Sequence, residues 1–195
     1  MGEINIPGLC CSTLTECFTS IIQKIGEDPN RPGLIDTPQR AAKALEFLTS
    51  GYKVNLNDIV NGALFPADNQ EMVIVRNVEF DSLCEHHVLP FSGYMHVGYI
   101  PDNQVIGLSK IPRILDVFAR RLQIQENLTK QVADAIKDLV KAKGVYVVAY
   151  AKHSCLSMRG VKKQSSSMVT VAKNGVFLES LSLCQEFNSL ISMPD

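Results

Sequence analysis

Two apolar stripes in the middle of the chain decide most of what it can become. Ile111, Ile114, Leu115, Phe118 and Leu122 recur at helical intervals, and so do Leu128, Val132, Ala135, Ile136 and Leu139. Each stripe covers one face of a helix, and that face must be buried against something. Only "QIQEN" separates the two, so the helices form an antiparallel pair. Stretches of period two lie on either side: "MVIVRNVEF" and "GYMHVGYI" before, "GVYVVAYAKHSC" and "SMVTVAKNGVF" after. Strands in pairs around a helical hairpin predict an α+β fold, an antiparallel sheet backed by two helices.

Residues 1–70 read as an N-terminal helical segment and 71–195 as the sheet-and-helix domain, together one compact subunit. Thr13 and Glu16 have capping-box spacing, followed by Leu14, Phe18, Ile21, Ile22 and Ile25 at helical intervals, with Gly26 as the stop. "DTPQRAAKAL" predicts a second helix capped by Thr37, with Pro38 at its first position and Gly51 ending it near residue 50. "LCQEFNSLI" predicts a short terminal helix.

A net charge of −1 gives no basic excess, so nucleic acid is not an expected partner. No apolar run reaches signal-peptide or membrane-span length, and Ile6 stands where a myristoylation signal needs Ser or Thr. The expected address is the cytoplasm, with no membrane partner. Thiols stay reduced there, so the six cysteines point to metal binding or catalysis before disulfides. Cys10, Cys11, Cys17 and Cys184 have no histidine nearby and read as ordinary packing residues.

The chemistry concentrates in "SLCEHHVLPFSG", which spends two of the four histidines side by side, next to a cysteine. The two-residue gap between Cys84 and His87 lets one turn offer both to a single ion. A turn cannot complete a zinc site, so a distant ligand is needed, and "KHSC" supplies the other cysteine near a histidine. Period-two geometry at a strand end would point His153 and Cys155 to one face. Cys84, His87 and Cys155 then form a Cys₂His set with a fourth position open, as in catalytic zinc sites. His86 and His153 would flank the ion as proton carriers. Two other readings stand beside this one. A fourth ligand from His96 or His153 would close the site and make the zinc structural, and a lone C-x-x-H also arises without any metal.

Ser109 caps the third predicted helix, and Lys110 and Arg113 lie in its first turn. Basic side chains there oppose the helix dipole unless something anionic sits against the free amides. Arg40 and Lys43 repeat the pattern on the second helix, and Arg159 follows the "KHSC" segment. Any one of these suits a solvated surface; as a set they suit a polyphosphate. Gln125 and Glu126 lie between the two central helices. The Glu126 carboxylate suits the helix dipole, and it can equally accept two N–H donors from guanine, which adenine does not offer.

Together "CEHHVLPFSGYMHVGYIP", "VIGLSKIPRILDVFARRLQIQENLT", "HSCLSMRGVKK" and "DTPQRAAKAL" resemble the zinc-dependent GTP cyclohydrolase I family, from about residue 30 to 180. The resemblance implies a T-fold: a four-stranded antiparallel sheet with two antiparallel helices, assembled as a homodecamer of two stacked pentamers. It implies Zn²⁺ on Cys84, His87 and Cys155, with His86 and His153 as catalytic imidazoles and Ser109 assisting. Ser109, Lys110, Arg113 and Arg159 correspond to triphosphate-binding positions, Arg40 and Lys43 to positions reaching the triphosphate from an adjacent subunit, and Gln125 and Glu126 to guanine readers. The implied reaction converts GTP and water to formate and 7,8-dihydroneopterin triphosphate, the entry to tetrahydrofolate-type pterins. His153 would protonate the purine at N7, while His86 and Ser109 serve the ribose. The short N-terminus lacks the long extension of animal members, which puts regulation by a feedback partner in doubt. Competing readings are a T-fold nitrile reductase or pterin synthase, a relative that stops after opening the imidazole ring, and a zinc-stabilised module that binds a nucleotide unchanged.

Overall fold

The computed structural model describes residues 13–160 and 162–194, so Cys10 and Cys11 lie outside the described residues. The chain divides into two units, Met1–Phe47 and Leu48–Asp195. In the first, α1 (Leu14–Lys24) begins with a complete capping box: Thr13 Oγ1 accepts from Glu16 N, and the Glu16 carboxylate accepts from Thr13 N. Of its apolar stripe only Ile22 is buried, whereas Leu14, Ile21 and Ile25 are exposed. Helix α2 (Thr37–Leu48) starts one residue before the expected boundary, so Thr37 is helical and Pro38 second. Gly51 does not cap it. It lies in a 3₁₀ turn, where its N–H donates to Arg120 O and an added Cβ would meet Val117 O at 2.2 Å.

The second unit runs α3 (Leu56–Val60), β1 (Leu64–Pro66), β2 (Val73–Cys84), β3 (Pro90–Ile100), β4 (Gln104–Ile106), α4 (Lys110–Ala119), β5 (Leu122–Gln123), α5 (Gln125–Val140), β6 (Gly144–His153), α6 (Ser154–Ser157), β7 (Met168–Gly175) and α7 (Leu181–Ile191). Strands β2, β3, β6 and β7 pair antiparallel in that order, the four-stranded sheet and α+β arrangement expected of a T-fold. Two-residue β5 adds in parallel to the end of β2, and β1 pairs with β4 apart from the main sheet.

The predicted stripes face the sheet. Ile111, Ile114, Leu115 and Phe118 of α4 and Leu128, Val132, Ala135 and Ile136 of α5 join Met95, Val97, Val145, Val147 and Ala149 in one core. Each large aliphatic side chain fully buried there contributes ~1.5–3 kcal/mol relative to exposure. Leu122 leaves the stripe: it belongs to β5 and is exposed. On the opposite face Phe187 and Cys184 of α7 pack with Ile100, Tyr146, Val148 and Phe177. No helix among the described residues is long and apolar enough to cross a membrane.

One irregularity sets which way Cys84 points. Between Val75 and Val78 the register of β2 slips by one residue, with Asn77 at φ 54°. Val73 and Val75 pack on the core before the slip; Val78, Phe80 and Cys84 lie in the same core after it. Side chains alternate with period two, so a strand without the bulge would turn Cys84 to the other face. Asn tolerates left-handed backbone, whereas a β-branched residue does not. Asn77→Val is therefore expected to destabilise the fold by about 1–2 kcal/mol and Asn77→Gly by much less, read from urea unfolding midpoints.

Candidate metal and acid–base site

Cys84 ends β2 and opens a tight turn in which the N–H groups of His87 and Val88 both donate to Cys84 O, at 3.3 and 2.8 Å. That turn is pinned from the side, because Cys84 is paired with Gln123 of β5 and Glu85 N donates to Gln123 O at 2.9 Å. Gln123 is itself anchored by its amide nitrogen, which donates to Phe118 O and Gln131 Oε1. The stretch that reads as a plain connection between helices thus fixes the first two candidate ligands. Two-residue strands carry no periodicity, so no sequence signal marked it.

Cys155 arrives by another route than the period-two expectation. Strand β6 ends at His153, and Cys155 lies in the one-turn helix α6. Even so, the ligand atoms of Cys84, His87 and Cys155 all lie within 4.8 Å of one another. Zinc bonds of ~2.3 Å to sulfur and ~2.0 Å to nitrogen, at a tetrahedral angle, would separate the two atoms by about 3.5 Å. The observed Cys84 Sγ to His87 Nδ1 distance is 3.7 Å. Burial, then the nearby Cys84, push the Cys155 thiol above its ordinary range, and Arg159 pulls it back. A cation bound beside the Cys155 sulfur would offset both of the effects that raise it. The donor set and spacing therefore fit zinc.

His86 Nδ1 is nearly as close to Cys84 Sγ, at 3.8 Å, but His86 is not part of the three-ligand group and its side chain is largely exposed. His96 is buried on β3, where its Nδ1 accepts from Asn77 N, and it stands outside the group as well. His153 ends β6 with its ring stacked on Phe91, centroids 4.5 Å apart and planes 3° from parallel. Its Nε2 is 2.9 Å from Gln125 Oε1. Burial lowers its pKa from the usual imidazole value, and the Glu126 carboxylate raises it again. Sequence reasoning missed Phe91, since nothing local to "LPFSG" reveals which ring it will meet across the β3–β6 ladder.

Gln125 and Glu126 open α5 and face different surroundings. Glu126 is exposed; Gln125 is 1% exposed and engages both ends of its amide within the protein. Ser109 occupies the cap position of α4 but makes no capping bond with its side chain; the first turn is closed by Lys110 N to Gly107 O and Ile111 N to Leu108 O. Ser109 and Arg113 are exposed, Lys110 half-buried, and the first turn of α4 holds no acidic residue. Exposed Arg159 acts on the three-residue group through its charge on Cys155. Arg40 and Lys43 are exposed on α2 of the first unit, with Arg40 paired to Asp36 at 2.9 Å. Half-buried Cys17 and buried Cys184 are free thiols, and Cys184 Sγ donates to Phe177 O at 3.3 Å.

A model of the family described as GTP cyclohydrolase I matches residues 14–192. The GTP cyclohydrolase 1 of Pseudoalteromonas atlantica is 56% identical over 178 residues, covering 91% of this chain and 97% of that protein. The GTP cyclohydrolase 1 of Campylobacter jejuni subsp. jejuni is 57% identical over 177 residues, covering 91% and 93%. Likeness on this scale runs far beyond the metal motif, and this chain belongs to the GTP cyclohydrolase I family.

Proposed function

We propose that this protein converts GTP and water to formate and 7,8-dihydroneopterin triphosphate, with zinc held by Cys84, His87 and Cys155. The observation that carries this reading is the meeting of those three ligand atoms within 4.8 Å on a chain of this family. Zinc, when bound there, lowers the pKa of water toward neutrality and so makes hydrolysis possible at ordinary pH. The protein's own groups do the rest. His153 gives a proton to purine N7, which makes C8 electrophilic; its ring is already held by Phe91 and Gln125. A second hydration frees formate. Opening of the ribose and the rearrangement that follows need acid–base help, which His86 and Ser109 give. Glu126 accepts two N–H groups of guanine. A site relying on that pair rejects a base lacking the donors, because its acceptor would be left unpaired.

Ser109, Lys110, Arg113 and Arg159 bind the triphosphate, with Arg40 and Lys43 reaching it from an adjacent subunit. The assembly is a homodecamer of two pentamers in the cytoplasm. Large apolar side chains that a lone subunit leaves in water, among them Ile21, Ile25, Val169 and Val171, support association. The product enters tetrahydrofolate-type pterin synthesis. Incubation with GTP and zinc tests the reaction: formate together with the fluorescence of the oxidised pterin is the expected result. A formylated, ring-opened nucleotide alone would limit the enzyme to the first hydrolysis, and bound but intact GTP would make it a binding module.

A further inference from the structure

The partners of Gln125 decide which way round its buried amide sits. Nε2 lies 3.1 Å from Ala149 O, 3.2 Å from Met168 O and 3.1 Å from Thr170 Oγ1. Carbonyl oxygens only accept, so the group facing them must be the NH₂ end. Reversal would set Oε1 against two carbonyl oxygens at a site closed to water, leaving buried polar atoms unpaired. The neighbouring hydroxyls agree. Thr129 Oγ1 spends its hydrogen on Gln125 O at 2.7 Å and also lies 2.7 Å from Thr170 Oγ1. Thr170 must therefore donate to Thr129, which leaves its lone pairs free to accept from Gln125.

Oε1 is thus the atom that meets His153 Nε2 at 2.9 Å, and a carboxamide oxygen can only accept. We propose that Gln125 is a positioning residue that holds neutral His153 as the Nε2–H tautomer, so that Nδ1 is the nitrogen that takes up a proton from water, passes it to purine N7 of the bound nucleotide and returns to its unprotonated state. Among the described residues Nδ1 has no hydrogen-bond partner. The parallel Phe91 ring keeps the imidazole in its plane, and turning the ring over would break the bond to Gln125. The proton exchange rests on the hydrolytic reading above; the tautomer does not. The assignment also gives Gln125 a role other than contacting guanine.

The test is a solid-state ¹⁵N spectrum of histidine-labelled, zinc-loaded protein in mildly alkaline buffer, with the His153 signals identified by their loss in His153→Gln. Expected is a protonated, hydrogen-bonded Nε2 and an unprotonated Nδ1; a proton on Nδ1 would overturn the proposal. Gln125→Leu should mix the two tautomers, lower kcat about 10- to 100-fold, as loss of an orienting outer partner does elsewhere, and leave KM for GTP and zinc content nearly unchanged. A raised KM with kcat and tautomer unaltered would make Gln125 a guanine reader and sink the proposal. If wild-type protein released no formate, the hydrolytic reading would fail while the nitrogen spectrum still decided the tautomer.

Discussion

Replacing Cys155 with alanine is expected to strip the site of its metal and to end turnover. Cys84 and His87 share one turn and can offer an ion only two ligands; the third comes from α6, far along the chain. Loss of mere outer-shell partners weakens metal sites 10- to 100-fold, so loss of a direct ligand should exceed about 100-fold in zinc affinity. Competition with a chromophoric chelator measures this directly. The fold should survive, because Cys155 is half-buried and sits on a one-turn helix at the end of β6 rather than inside the helix–sheet core. An unchanged circular dichroism spectrum would separate metal loss from unfolding. A Cys155→Ala protein that kept both zinc and formate release would remove this residue from the site.

His153→Ala is expected to do the opposite: keep the metal and lose ring opening. His153 lies outside the three-ligand group, yet it is stacked on Phe91, bonded to Gln125 and close enough to Glu126 to feel its charge. Such a positioned acid contributes about 10²–10⁴ in rate. Formate release should fall by that factor while zinc content and GTP affinity hold. Rapid-quench chromatography should find intact GTP rather than an accumulated formylated intermediate, because the first hydrolysis is the step affected. Zinc loss in this variant would instead make His153 a ligand and the site closed.

The sequence disclosed the elements whose pattern is local. Ile111 to Phe118 and Leu128 to Ile136 announced α4 and α5 because burial of one helical face repeats every 3.6 residues. The Cys84-x-x-His87 spacing was legible because a single turn closes it. Cys155 is the instructive case: the strand argument expects it beside Cys84 and His87, but it is a helical turn that brings its sulfur within 4.8 Å of their ligand atoms. Period two fails once β6 ends, and nothing in "HSCL" marks where that happens. The period-two reading of "MVIVRNVEF" takes it as one unbroken alternation, whereas the bulge at Asn77 shifts its apolar positions from Val73 and Val75 to Val78 and Phe80. Strands β1, β4 and β5 are too short to show any period. The partners of Gln125 come from β6 and β7, and only folding brings those strands to the start of α5.

A crystal structure of the zinc-loaded protein would test the central claim most directly. Expected is an ion about 2.0–2.3 Å from Cys84 Sγ, a His87 ring nitrogen and Cys155 Sγ, with no other protein atom bound to it. Finding His86, His96 or His153 as a fourth ligand, or the ion held elsewhere, would contradict it.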